Sequence, residues 1–357
     1  MQPNLFSALQ LRDVRLRNRI GVSPMCQYSS VDGFANDWHL VHLGARAVGG
    51  AAMVMTEATA VVPEGRISPQ DLGIWKDEHI EMLARIFRFI EDQGAVPAMQ
   101  LAHAGRKAST APPWFDREAV SEAEGGWRPI FAASAEAFDE GYIVPHALDR
   151  AGIEHVLRGF AEAAQRALTA GAKVIEIHAA HGYLIPEFLS PLTNKRADEY
   201  GGSFENRTRI AREAVEAVRR VWPERYPLLV RISASDWVEG AWDVEQSTEL
   251  AKQLKPLGVD MFDCSSGGAV PNAKIKTGPG YQVPFSEHIH RVAQIPTAAV
   301  GMITEPEQAN DIIKEGRADM VFLAREFLRE PYWPLKAAAG MGIDLRPPVQ
   351  YGRAFTR

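Results

Sequence analysis

The chain alternates between two patterns of apolar and polar residues. Short apolar runs rich in β-branched residues predict buried strands, and the longer stretches between them repeat apolar residues at helical spacing. The eight predicted strands are Ile20–Met25, Ala51–Thr59, Val96–His103, Val174–Ala180, Leu228–Ala234, Met261–Ser266, Thr297–Met302 and Met320–Ala324. The predicted helices are Trp38–Val48, His79–Asp92, Ala151–Ala170, Phe204–Val221, Val244–Leu257, Phe285–Ala293, Glu305–Glu315 and Pro331–Ala338. Consecutive strand–helix units without a nucleotide-binding fingerprint favour a closed (β/α)₈ barrel, the TIM barrel, over a doubly wound sheet.

One segment, residues 111–143, interrupts this alternation after the third strand. It is rich in Pro, Gly, Glu and Trp, and it is too short to form a second domain. It also contains too many aromatic residues to be a flexible linker. We therefore predict a single domain over residues 1–357, with an ordered excursion at 111–143 that covers part of the molecule.

The composition excludes several classes of protein. Lys plus Arg is 39 and Asp plus Glu is 45, so the formal net charge is −6; such a surface does not attract nucleic acid or anionic lipid. No apolar run approaches the roughly 20 residues that span a bilayer, and positions 1–20 carry five charges, unlike a signal peptide. Two cysteines, Cys26 and Cys264, are too few for a disulfide scaffold or a cysteine-rich metal cluster. We expect a cytoplasmic protein with no nucleic-acid or membrane partner and no bound metal.

Candidate chemistry lies at the carboxyl ends of the predicted strands, where barrel enzymes hold their active sites. The fourth strand ends in His178 and His181, which Tyr183 follows. Two imidazoles could hold a substrate oxygen while a phenol transfers a proton. Alternatively, the histidines could bind a metal with Glu57 or Glu176 as a further ligand, or they could simply be packing residues.

Other strand ends carry further candidates. Gly301 and Arg325 follow the last two strands, where barrels often bind phosphate, although Arg325 could also form a surface salt bridge. Arg231 lies inside an apolar run, so it needs either an anionic ligand or an internal carboxylate partner. Cys26 is either a small buried residue or a thiol with a neighbouring histidine as its base, whereas Cys264 is expected in the core.

Several segments together resemble the Old Yellow Enzyme family of FMN-dependent ene-reductases, and most closely the subgroup with a cysteine near the flavin, which includes xenobiotic reductase A and the bacterial NADPH dehydrogenases. The matching segments lie in family order along nearly the whole chain. They are Asn18–Ile20, Ser23–Cys26 with Tyr28, Glu57–Ala60, Pro63–Ile67, Gln100–Lys107, His178–Tyr183, Phe188–Pro191, Arg196–Asn206 and Gly301–Ile303.

The resemblance implies roles for individual residues. Those expected to bind the cofactor are Ser23, Pro24, Met25, Cys26, Ala58, Gln100, Arg231, Gly301, Ala324 and Arg325. Those expected to contact the substrate are Tyr28, His178, His181 and Arg353, with Tyr183 as the proton donor. Cys26 is expected to tune the flavin rather than attack the substrate, and Arg231 to lie near flavin N1. The family usually has glycine in place of Ala324, whose N–H remains available to phosphate provided that its φ is negative.

The resemblance also implies an activity, which is NADPH-dependent reduction of the C=C bond of α,β-unsaturated carbonyl compounds by FMN, with NADH as a possible reductant. A homodimer or a tetramer of dimers is expected, with the tail 341–357 at the subunit interface and Arg353 reaching into the neighbouring site. Relatives of 2,4-dienoyl-CoA reductase carry an iron–sulfur domain with clustered cysteines, which two isolated cysteines do not match. A metal-dependent barrel hydrolase and a non-catalytic flavin protein are the remaining alternatives.

Overall fold

Eight parallel strands close into a barrel in the computed structural model, which describes residues 2–115 and 119–355. The strands are β1 (Leu9–Leu11), β2 (Val14–Leu16), β3 (Ile20–Val22), β4 (Met53–Ala60), β5 (Val96–Ala102), β6 (Phe131–Ala132), β7 (His146–Ala147), β8 (Val174–Ala179), β9 (Leu228–Ser233), β10 (Met261–Ser265), β11 (Thr297–Ala299) and β12 (Met320–Leu323). Around the barrel the order is β3-β4-β5-β8-β9-β10-β11-β12, and β12 pairs with β3. The predicted fold class is confirmed.

Helices cover the outside of the barrel. They are α1 (Asp37–Val48), α2 (Ile80–Asp92), α3 (Arg150–Ala170), α4 (Leu184–Leu189), α5 (Phe204–Arg207), α6 (Arg209–Arg219), α7 (Val244–Leu254), α8 (Val283–Ala293), α9 (Pro306–Lys314), α10 (Arg325–Arg329), α11 (Trp333–Gly340) and α12 (Gly352–Phe355). Across the described parts of the chain, none of them is long and apolar enough to cross a membrane.

Several element boundaries differ from the prediction. The first and seventh barrel strands end at Val22 and Ala299, three residues earlier than expected, because the chain leaves the ladder to line the barrel mouth. The helix predicted over 204–221 divides at Thr208, whose hydroxyl donates to the Phe204 carbonyl and competes with the regular helical pattern. The short helices α4 and α10 were not predicted, since five or six residues carry too little periodicity to be detected.

The two ends of the barrel interior differ in polarity. The amino-terminal end is filled with apolar side chains and is closed by the β1–β2 hairpin, whose Leu16 is fully buried. Gln100, Glu176, Arg231 and Asp263 form a buried polar layer on β5, β8, β9 and β10. The apolar side chains at the amino-terminal end keep water away from the polar layer on that side. The charges of the polar layer must therefore be balanced by each other or by a ligand at the mouth.

The predicted excursion is present between β5 and α3. Its described part contains β6, which pairs in parallel with β7 just beyond residue 143. The chain then reaches Asp149, which caps α3 by accepting from the Gly152 N–H. Positions 116–118 of the excursion and 356–357 of the tail lie outside the described residues.

Candidate active site

The turn after β8 brings three predicted site residues together. The ring of His178 lies edge-on to the rings of both His181 and Tyr183, with 5.1 Å between centroids in each pair. His181 has a φ of 63°, a left-handed conformation that is uncommon outside glycine. The Lys107 ammonium holds this turn by donating to the His181 carbonyl at 2.8 Å and to the Gly268 carbonyl at 2.7 Å.

Burial and nearby positive charge keep the two imidazoles neutral, and a hydrogen bond fixes the tautomer of His178. The Ala180 N–H donates to His178 Nδ1 at 3.2 Å, so the ring proton of His178 is on Nε2. His181 Nε2 lies 2.7 Å from Ser265 Oγ. Burial, and then the positive charge of Arg231, lowers the pKa of both rings well below the ordinary histidine value. Both rings are therefore uncharged at neutral pH, and His178 presents an N–H donor.

Tyr183, Cys26 and Tyr28 pack against one small apolar cluster that includes Ala58. Burial is the main reason that the pKa of the Tyr183 phenol lies well above its ordinary value, so the phenol keeps its proton. Burial, followed by the charges of nearby carboxylates, likewise raises the pKa of the Cys26 thiol. A thiol that resists ionisation is a poor nucleophile, which favours a non-nucleophilic role for Cys26.

Arg231 has an internal carboxylate partner, which is one of the two kinds of partner that the sequence predicted for it. Arg231 Nε lies 3.1 Å from Asp263 Oδ2, and an Arg231 Nη donates to Ser23 Oγ at 3.2 Å. On β5, Gln100 donates to Glu176 Oε1 at 2.7 Å. Ser23, Gln100 and Arg231, which the resemblance assigned to the cofactor, thus belong to the polar layer below the mouth. Pro24 and Met25 continue the chain from Ser23 after β3.

A second part of the mouth lies beyond β11 and β12, where a cavity of about 310 Å³ is lined by Gly301, Ala324 and Arg325. Gly301 has a φ of +120°, and a Cβ there would come within 2.8 Å of Gln282 Nε2, so the chain approaches the cavity as only glycine allows. Ala324 has a φ of −106°, which meets the condition set for its N–H. The cavity, the glycine and the guanidinium fit the phosphate of FMN.

Sequence reasoning missed several residues at the mouth. Lys107 lies in the Gln100–Lys107 motif, which could have signalled it, but no role was assigned. Phe138 of the excursion lies 4.0 Å from Lys107 Nζ, and Trp114 lies edge-on to Tyr28 at 5.4 Å. The excursion therefore borders the site. No sequence pattern indicated which of its aromatic residues would contact the mouth.

Arg353 is the one predicted site residue set apart from these groups. It lies on α12 with an exposed side chain and does not line the cavity at Gly301. The metal alternative also lacks a ligand set, because no group of three His, Cys, Asp or Glu side chains among residues 2–115 and 119–355 is placed to hold an ion.

Comparisons with known proteins agree with this geometry. The model of the NADH:flavin oxidoreductase / NADH oxidase family matches residues 4–343. An NADPH dehydrogenase of Geobacillus sp. (strain WCH70) is 49% identical in an alignment of 357 positions that covers 99% of each chain. Among solved structures, morphinone reductase superposes with a TM-score of 0.78 at 26% identity over 98% of this chain and 93% of its own. An Old Yellow Enzyme homologue from Zymomonas mobilis gives 0.78 at 27% identity over 97% and 95%.

The match covers the barrel from its amino-terminal hairpin to the end of α11, and it includes every strand that carries a candidate residue. The NADPH dehydrogenase relative extends the similarity to nearly the full length of both chains. The chain therefore belongs to the NADH:flavin oxidoreductase / NADH oxidase family, and it is an FMN-dependent, NADPH-oxidising enzyme of the Old Yellow Enzyme type.

Proposed function

We propose that the enzyme reduces the C=C bond of α,β-unsaturated carbonyl compounds. The observation that carries this proposal is the convergence of neutral His178, neutral His181 and a protonated Tyr183 at one edge of the barrel mouth. Donors without charge suit a neutral carbonyl oxygen, and they stabilise the negative charge that develops on it as the C=C bond is reduced.

FMN, when bound, supplies the hydride from its N5 to the β-carbon. The imidazole N–H groups bind the substrate carbonyl oxygen and draw electron density away from the double bond. The Tyr183 hydroxyl then gives its proton to the α-carbon, which burial permits because the phenol does not ionise beforehand. Tyr28 would line the substrate side of the pocket, and Cys26 would contact the cofactor as a protonated thiol.

The polar layer and the cavity beyond β11 and β12 would together contact FMN. Gly301, Ala324 and Arg325 would hold the phosphate, and Gln100 would contact the pyrimidine edge of the ring. Arg231 would place its positive charge near N1, where it favours the reduced, negatively charged ring. Ser23–Cys26 and Ala58 would line the ring itself.

Replacing Gly301 with alanine is expected to weaken FMN binding roughly tenfold or more, because a left-handed non-glycine residue costs about 1–2 kcal/mol and its Cβ would meet Gln282. Titration of apoprotein with FMN, followed by quenching of flavin fluorescence, measures the change. Gly340→Ala is the matched control, because a Cβ at Gly340 has no neighbour within 4 Å. Equal affinities in both variants would contradict the placement of the phosphate.

The test of the activity is stopped-flow kinetics. NADPH should bleach the yellow enzyme in one phase, and 2-cyclohexenone should restore the colour in a second phase with formation of cyclohexanone. A reduced enzyme that is reoxidised by oxygen but not by the enone would contradict the proposed reaction. A protein that is colourless after incubation with FMN and removal of the unbound FMN would contradict cofactor binding as well.

We also propose that the single FMN-binding domain of residues 1–357 acts as a dimer or as a tetramer of dimers, with the tail 341–357 at the interface. The support is the position of Arg353 on α12, where its side chain is exposed and does not line the cavity at Gly301. In this arrangement Arg353 contacts the substrate in the neighbouring subunit.

Arg353→Ala is expected to raise the KM for the enone while leaving FMN reduction by NADPH intact, because only substrate contact is lost. Arg346→Ala, in the same exposed tail, is the control. In a mixture of Arg353→Ala and Tyr183→Phe subunits, a shared site predicts that activity recovers on subunit exchange. Wild-type kinetics for Arg353→Ala would rule out the shared site.

A further inference from the structure

Three ionisable side chains occupy adjacent strands in the interior of the barrel. Glu176 on β8, Arg231 on β9 and Asp263 on β10 are 0%, 5% and 0% exposed. In the strand register, Arg231 pairs directly with Asp263 on one side and with His178 on the other. Ionisation of all three would leave a net negative charge in a dry interior, which is costly.

The contacts of the two carboxyl groups are unequal. Asp263 lies against the guanidinium, with Arg231 Nε 3.1 Å from Oδ2; the N–H is not directed at this oxygen, so the contact is ionic rather than a hydrogen bond. Glu176 Oε1 accepts from the neutral amide of Gln100, and Oε2 is buried without a hydrogen-bond partner among the described residues. The guanidinium of Arg231 therefore lies directly against Asp263, whereas the hydrogen-bond partner of Glu176 is a neutral amide.

The charges around Glu176 and Asp263 also favour a proton on Glu176 rather than on Asp263. Burial raises the pKa of Glu176 well above its ordinary value, and the negative charge of Asp263 raises it further. The positive charge of Arg231 and the hydrogen bond from Gln100 oppose this rise without cancelling it. Burial also raises the pKa of Asp263, but the positive charge of Arg231 opposes that rise. The other titratable side chains facing this layer, His178 and His181, are neutral, so they do not balance a second negative charge.

We propose that Glu176 is a carboxylic acid and Asp263 a carboxylate in the working enzyme, and that the two act on the cofactor in different ways. Asp263 sets how much positive charge Arg231 presents to the flavin. Glu176 is a positioning residue, which accepts one N–H of Gln100 and leaves the rest of that amide free for the cofactor. This division of roles rests on the proposed placement of Arg231 and Gln100 beside FMN.

The proposed roles of Glu176 and Asp263 can be tested by replacing each carboxyl group with its amide and measuring the midpoint potential of bound FMN. Asp263→Asn removes a negative charge from Arg231, so we expect the potential to become more positive. Glu176→Gln exchanges one neutral group for another, so we expect the potential to stay at the wild-type value. Asp13→Asn, an exposed carboxyl group preceding β2, is the control for surface charge.

A second measurement does not depend on flavin binding or on turnover. The infrared spectrum of the apoprotein should contain a carbonyl band of a protonated carboxylic acid that is absent from Glu176→Gln. This band should shift in D₂O. Because Asp71 and Glu187 also have raised pKa values through burial, the band is identified in the difference between wild type and variant.

The proposal is overturned if Glu176→Gln shifts the potential to a more positive value than that of the wild type, or if the infrared difference lacks the band. An unchanged potential in Asp263→Asn would overturn the coupling of Asp263 to the flavin. If Asp263→Asn does not fold, the Glu176→Gln potential and the infrared band still decide the state of Glu176. None of these outcomes depends on whether 2-cyclohexenone is a substrate, so failure of the proposed function would be seen separately.

Discussion

Tyr183→Phe is expected to slow reoxidation of the reduced enzyme by 2-cyclohexenone by about 10²- to 10⁴-fold, the usual contribution of a positioned proton donor. Reduction of the flavin by NADPH should be largely unchanged, because that step needs no proton from the phenol. The substitution removes one oxygen atom and keeps the ring that packs on His178. Stopped-flow traces of the two half-reactions, recorded separately, measure both rates.

Tyr226→Phe is the matched control for this experiment. Tyr226 lies just before β9, at the amino-terminal end of the barrel, and its ring packs on Trp222. Loss of its hydroxyl should alter neither half-reaction. If Tyr183→Phe slowed both half-reactions equally, its effect would be on cofactor or ligand binding, and the assignment as proton donor would be wrong.

His178→Phe is expected to lower the rate of the enone half-reaction by about 10²- to 10³-fold, which is typical for loss of one donor to a developing oxyanion. The phenyl ring preserves the edge-on contacts with His181 and Tyr183 but has no N–H. His288→Phe, on the outer helix α8, is the control. A variant with unchanged enone kinetics would show that His178 does not hold the carbonyl oxygen.

The lowered pKa of His178 also predicts how the rate of the enone half-reaction depends on pH. A histidine whose pKa is lowered stays neutral at every pH above the lowered value, and it gains a proton only on further acidification. The wild-type enone half-reaction should therefore show no histidine titration between about pH 5 and 8, since the pKa values of His178 and His181 both lie well below the ordinary value. An inflection at the ordinary histidine value would contradict the neutral-donor assignment.

The parts of the fold that could be predicted are those encoded locally. Each barrel strand is a nearly continuous apolar run, as expected for strands buried on both faces, and these runs located all eight. The strand ends could not be predicted as accurately. Just after β11, for instance, the Val300 carbonyl accepts from Nε2 of Gln282, a residue from a different part of the sequence.

In the candidate site, individual residues could be predicted from the sequence, but their contacts with distant residues could not. Arg231 was recognisable because a charged residue within an apolar run requires a partner, and the sequence allowed either a carboxylate or a ligand. The structure supplies Asp263 and leaves the guanidinium next to the mouth, so the two interpretations are compatible. The partner itself could not be identified from the sequence, because the pairing depends on the register of β9 with β10.

The contact between Lys107 and Phe138 has a consequence for engineering. Lys107 ties the turn of His181 to the loop of Gly268, and the same ammonium group lies under an aromatic ring of the excursion. An excursion transplanted from a relative would therefore alter the support of the His181 turn as well as the size of the pocket. Chimeras that exchange residues 111–143 should keep an aromatic side chain at position 138, and libraries that vary the rest of the segment can broaden substrate scope without disturbing the donors.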